Sequence, residues 1–222
     1  MTITRILTAA ALASALAACS SGPPVPDWKM NAQSSIERFE AAYLAGRTLV
    51  EQTEFQRARS QVAGTGKVDL VARVELLRCA TRVASLVFEP CAGFDALQED
   101  ASAADRAYAA YLAGTAVADT SLLPQSQRAV AAATSDTQAA SAAAAIKEPL
   151  GKLVAAGVLL RANRATPELL DMAVTTSSDQ GWRRPLLAWL GVQRLRAEQA
   201  GDAPEAQRIA RRMALVGEPP AQ

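Results

Sequence analysis

Three cysteines, four lysines, nineteen arginines and no histidine bound the chemistry open to this chain. Without an imidazole there is no His-based triad, no histidine metal site and no side chain that titrates unaided near neutral pH. Cys79 and Cys91 are separated by enough chain to fold back on itself. A structural disulfide is expected between them, the alternative being two buried thiols; no Cys-x-x-Cys spacing marks a redox thiolate. Ala63-Gly64-Thr65-Gly66-Lys67-Val68 imitates a phosphate loop. It lacks the first glycine, where Gln61 stands, and the metal-holding hydroxyl, where Val68 stands. Those glycines read as a helix–helix turn, and no nucleotide is expected. None of Lys29, Lys67, Lys147 and Lys152 follows a serine by three residues, the spacing that would pair nucleophile and base on one helical face. Acid pairs such as Glu99-Asp100 read as solvated caps. No metal or other cofactor is expected.

Arginine carries most of the positive charge, in clusters at Arg57/Arg59, Arg161/Arg164, Arg183/Arg184 and Arg208/Arg211/Arg212. Guanidinium groups form bidentate pairs with carboxylates and are favoured at interfaces. Solvated helix faces with Glu partners account for such clusters without any binding role. Trp182-Arg183-Arg184, at a helix entry, is the candidate partner-binding group. Net charge is +1, which gives no electrostatic claim on nucleic acid.

The elements that must position these residues are helical throughout. Half of the residues are hydrophobic and a fifth charged, as in folded globular chains. Asp27 is read as the cap of a helix carrying Ile36, Phe39, Tyr43 and Leu44, with Gly46 as its stop. Phe55, Ala58 and Val62 mark a second helix. Asp69 is read as the cap of a third, apolar on most of its girth, running through Phe88 to Pro90 and placed centrally. Helices follow at about 93–99, 101–113, 122–146, 149–163, 167–177, 183–200 and 203–216, with Thr166-Pro167-Glu168 the clearest start. No period-two alternation indicates a strand. The Ala/Ser/Thr stretch from Ala129 to Ala145 must pack very closely or be weakly anchored. The expected class is all-α: antiparallel helical hairpins in a solenoid or an irregular bundle.

The segment 1–18 reads differently. Arg5 precedes an apolar run from Ile6 to Ala18 that is too short to span a bilayer and fits a secretory leader. The run ends in Leu16-Ala17-Ala18-Cys19, and here the chain resembles bacterial lipoproteins, whose lipobox is an aliphatic residue, two small residues and a cysteine. The resemblance implies cleavage before Cys19, acylation of Cys19 and a membrane anchor. Ser20, in place of the Asp associated with inner-membrane retention, implies the outer membrane. Residues 19–26 then form a tether. Pro23, Pro24 and Pro26 favour extended geometry, reaching at most about 20 Å. The body is expected as one helical domain over 27–217, with a tail at 218–222.

Ala41-Ala42-Tyr43-Leu44-Ala45-Gly46 recurs as Ala109-Ala110-Tyr111-Leu112-Ala113-Gly114. The offset is twice the period of about 34 residues of tetratricopeptide repeats, which the hairpins weakly resemble. The early tryptophan of that repeat is missing. The chain as a whole also resembles proteobacterial envelope lipoproteins, a resemblance that implies no activity. The expected function is non-catalytic: a lipid-anchored helical module in the periplasm that binds another envelope protein. The alternative is an envelope enzyme or small-ligand binder using Asp, Glu and Arg in a cleft between helices.

Overall fold

A computed structural model describes residues 25–217. The leader at 1–18, Cys19, most of the tether and the tail at 218–222 lie outside the described residues. Among the described residues the fold is all-α, with α-helices, one 3-10 turn and no strand. No described helix is long and apolar enough to cross a membrane.

The chain enters α1 (Asp27–Leu44) directly from Pro26. Asp27 is the first helical residue rather than its cap; proline, with its φ near −60°, leads the helix in without a side-chain bond. α1 turns at Gly46 into α2 (Thr48–Ala63), and the glycines at 64–66 turn α2 into α3 (Val68–Ala84). Lys67, not Asp69, precedes α3; Asp69 lies in its first turn, where its charge favours the helix dipole. α3 stops at Ala84, short of the expected Pro90. Leu86 takes φ +60°, so that Leu86 N–H donates to Val83 O and Val87 N–H to Arg82 O, the double bond pattern of a Schellman terminus.

A short α4 (Ala92–Asp95) replaces the expected helix at 93–99. α5 (Ala103–Leu112) is capped by Ser102 and followed by a 3-10 turn, Thr120–Leu122. The single helix expected over 122–146 is two: α6 (Gln125–Ala131) and α7 (Asp136–Ala145), the latter restarted by the Ser135 cap. Ala139 and Ala143 are fully buried, so the alanine-rich stretch packs by close approach. α8 (Pro149–Arg161), α9 (Pro167–Asp179), α10 (Arg183–Gln199) and α11 (Ala203–Gly217) complete the chain, with Thr166 capping α9 as its sequence indicates.

Two apolar clusters form. The smaller holds Phe39, Phe55, Ala58, Val62, Val71 and Val74 of α1–α3, with Phe39 and Phe55 edge to face at 5.8 Å. The larger gathers the remaining helices around α8, where every residue from Leu153 to Leu159 is buried. α3 belongs to both clusters. It crosses α8 where Gly157 meets the Val83 carbonyl; a Cβ there would overlap that oxygen. Consecutive helices pack in the runs α1–α2–α3 and α8–α9–α10–α11, while α3 lies on α8 and α1 touches α10, so the stack closes on itself. The hexapeptide echo is a shared helix end, not a repeated hairpin. Gly46 and Gly114 both terminate helices at positive φ with the same pair of bonds, but only Gly46 leads into a partner helix.

Candidate functional site

Cys79 on α3 and Cys91 at the start of α4 stand at disulfide-bonding distance, with Cα atoms 6.0 Å apart. On the chain-entropy model a bridge closing so short a loop contributes about 3 kcal/mol. It clamps the segment 85–90 that departs from α3 at Leu86. That segment walls a half-open cleft of about 360 Å³ whose inner surface is apolar, with Leu76, Val83 and Leu112. Phe88 is 37 % exposed beside it. Arg82, Glu89, Asp95 and Arg161 supply its charge. Arg82 Nη1 donates to Glu89 at 2.8 Å. Arg161 donates to Leu112 O at 3.2 Å and lies 5.4 Å from the Phe88 ring centre. Such a cleft can hold a small apolar group beside a charge; it contains no nucleophile paired with a base.

The arginines do two kinds of work. In the first three helices they hold buried carboxylates. Glu51, 2 % exposed, accepts from Arg78 Nε at 2.7 Å, and the same guanidinium lies 4.1 Å from the Phe55 ring centre. Glu75 accepts from Arg59 at 2.8 Å. Its carboxylate fills the space a side chain on Gly93 would need. Glu54 accepts from Arg38 at 2.8 Å and Arg57 at 2.6 Å. The Arg38 hydrogen bond foremost, with both guanidinium charges, keeps the Glu54 carboxyl below its usual range. Each of these carboxylates is occupied as an acceptor of guanidinium hydrogen bonds.

Elsewhere arginines cap helix C-termini, where unpaired carbonyls and the dipole favour a cation. Arg183 donates to Val216 O at 3.0 Å and Gly217 O at 3.2 Å, at the end of α11. Arg184 donates to Tyr43 O at 2.8 Å and Thr48 Oγ1 at 3.0 Å, with its guanidinium 4.4 Å from the Tyr43 ring centre. Trp182 is half-buried against the larger cluster. The three residues singled out in the sequence thus stand together at the entry to α10, tied to the α1–α2 turn and the end of α11. Trp189 is fully buried, its indole N–H donating to Ala84 O at 3.1 Å.

Sequence reasoning did not reach Glu40. Burial, then the nearby negative charges of Glu148 and Glu37, push its carboxyl from 4.5 up to about 7. Glu148 caps α8, accepting from the N–H groups of Leu150 and Gly151. Burial and the charges of Glu40 and Glu148 also push the Tyr108 phenol up. Tyr111 donates to Gln127 at 2.8 Å and Gln127 donates to Gly151 O at 3.1 Å, so the surrounding polar groups are occupied in packing. A carboxyl that keeps its proton near neutrality is a candidate acid, but Glu40 does not line the cleft beside the disulfide. No signal within α1 could have marked it, because Glu148 comes from a distant helix. Among the described residues no three of His, Cys, Asp and Glu gather as a metal site.

No family model matches this chain, and no curated protein or solved structure is similar to it beyond chance.

Proposed function

We propose that this chain is a lipid-anchored envelope lipoprotein whose helical body acts without catalysis as a protein-interaction or assembly module in the periplasm, held to the outer membrane through Cys19. The observation that carries the anchor is Leu16-Ala17-Ala18-Cys19 at the end of an apolar leader, followed by a proline-rich tether. Acyl chains stabilise membrane attachment by about 0.8 kcal/mol per buried methylene, so two or more hold a protein on a bilayer. The non-catalytic half of the reading is supported by how the carboxylates are used. Glu51, Glu54 and Glu75, the buried acids of α2 and α3, are each bonded to arginine. The expected partner is another envelope protein, with no role for nucleic acid or nucleotide. Trp182, Arg183 and Arg184 are the proposed partner-side group.

The test is Cys19→Ser in cells fed an alkynyl fatty acid. Loss of label and of membrane fractionation is the expected result; a variant that is still processed and membrane-bound overturns the anchor. The cleft beside the disulfide supports a second reading, a small-ligand binder, because Arg82, Glu89, Asp95 and Arg161 surround it. A thermal-shift screen of small carboxylic acids and amines distinguishes the two, since only the second reading gives ligands whose effect is lost in Arg161→Gln.

A further inference from the structure

The segment between α3 and α4 is fastened at both ends and loose between them. At the α3 end, Leu86 N–H donates to Val83 O and Val87 N–H to Arg82 O. At the α4 end, Phe94 is buried in the larger cluster and Gly93 lies against the Glu75 carboxylate. Between them Phe88, Glu89 and Pro90 are exposed, and among the described residues none of the three makes a backbone hydrogen bond. Two side-chain contacts remain. Glu89, its side chain 60 % exposed, pairs with Arg82, and an ion pair so open to water holds weakly. The Phe88 ring centre lies 5.4 Å from the Arg161 guanidinium. The covalent tie from Cys91 to Cys79 on α3 is therefore the main constraint on this strap.

That tie can be reached from outside. Cys79 and Cys91 are only half-buried, and both line the half-open cleft. Val87, Phe88, Glu89 and Pro90 line it too, so the strap is one of its walls. A disulfide exposed in this way is open to attack by a thiolate, whereas a buried staple is not.

We infer that the Cys79–Cys91 bridge is a site of thiol–disulfide exchange with a dithiol reductant, and that its reduction frees the strap that walls the cleft. One thiolate of the reductant attacks a bridge sulfur; the S–S bond breaks, and the other cysteine leaves as a thiolate and takes up a proton. The second thiol of the reductant, deprotonated, displaces the first cysteine and closes the reductant's own disulfide. Two electrons and two protons have then passed to Cys79 and Cys91. The chain is the substrate of this exchange, so it needs no Cys-x-x-Cys of its own. The fold outlasts the step because α3 is held elsewhere. It packs on α8 where Gly157 meets the Val83 carbonyl, and the pairs Arg59–Glu75 and Arg78–Glu51 tie it to α2. Neither the membrane anchor nor a protein partner enters this step.

The experiment takes the isotope-labelled full chain, purified without added thiol, and treats it with millimolar dithiothreitol in the absence of denaturant. Peptide mapping after iodoacetamide is expected to find Cys79 and Cys91 unlabelled before treatment and both labelled after it, while circular dichroism keeps its helical signal. By NMR relaxation the backbone order parameters of Phe88 and Glu89 are expected to fall from about 0.85 to below about 0.6, with those from Leu153 to Leu159 unchanged. The Cys79→Ala/Cys91→Ala variant is expected to show the low values at once and to ignore dithiothreitol. The inference is overturned by cysteines that label before treatment, by a bridge that yields only after urea has unfolded the chain, by reduction that leaves Phe88 and Glu89 as rigid as before, or by a loss of order that spreads to residues 153–159. A double variant with a rigid strap, or with no helical signal, overturns it too.

Discussion

Glu40 and Glu51 show what a guanidinium does for a carboxylate taken out of water. Glu40 is partly buried and the charges acting on it are negative, so its carboxyl sits near pH 7 instead of 4.5. Between those values the unfolded chain has released the proton while the folded chain still holds it. Folding stability therefore falls as pH rises from about 4.5 to 7 and is flat above. Allowing for partial exposure, the loss is on the order of 2 kcal/mol. Glu40→Gln should be more stable than the parent by that amount at pH 8 and equal to it near pH 4.5, as measured by urea unfolding; an equal gain at both pH values would show that ionisation is not the cause. Glu51 is more deeply buried and has Arg78. Arg78→Met should cost about 3 kcal/mol by stranding that charge, and adding Glu51→Gln should recover most of it. If the double variant is no more stable than Arg78→Met, the loss lies in packing on Phe55. Glu51 precedes Phe55 by one helical turn and so lies on the apolar face of α2, a clue legible in the sequence. Glu75 has no such clue, because its partner Arg59 comes from another helix.

At the scale of elements, helix existence was legible and helix ends were not always so. Gly46, Gly114, Gly181 and Gly201 all close helices at positive φ, as their positions in the sequence indicate. Leu86 and Asn163 close helices in the same conformation. A leucine there gives no local signal, since its left-handed φ costs about 1–2 kcal/mol and is imposed by packing. The periodicity of α3 therefore overran its end. The alanines on either side carry no periodic mark of the break between α6 and α7; its signal is the capping sequence Ser135-Asp136-Thr137-Gln138, with Ser135 accepting from the Gln138 N–H and Gln138 accepting from the Thr134 N–H. Gly157 is a different case: no turn requires it, and its role appears only where α3 crosses α8. Gly157→Ala should destabilise by about 3 kcal/mol, because backbone rather than a flexible side chain must move. Gly191, inside α10, is the control. Its nearest neighbour to a new Cβ is Met213 Cε at 4.0 Å. Gly191→Ala should stabilise by about 0.5–1 kcal/mol through helix propensity alone. Chemical unfolding of both variants checks the pair, and a loss at 191 or a tolerated alanine at 157 would contradict the packing.

Across the whole molecule, the division into two apolar clusters predicts how the protein opens. α1 and α2 belong to the smaller cluster, which reaches the rest through α3 and through the Arg184 contacts to Tyr43 and Thr48. The ion pairs Arg38–Glu54 and Arg78–Glu51, whose carboxylates are buried, bind α1 to α2 and α2 to α3, within that unit. Arg184 reaches across, from α10 to the α1–α2 turn. Hydrogen bonds from a charged donor contribute about 1.5–3 kcal/mol, so Arg184→Ala should lower the free energy of opening α1–α2 by roughly that amount. Global stability should fall by the same increment only if the two units unfold together. Native-state hydrogen exchange separates the cases. Amides around Phe39 and Phe55 should lose protection in the variant, while those from Leu153 to Leu159 keep theirs. Equal losses in both sets would mean that α1–α2 has no opening of its own and that α3, shared by both clusters, makes the helical body a single cooperative unit.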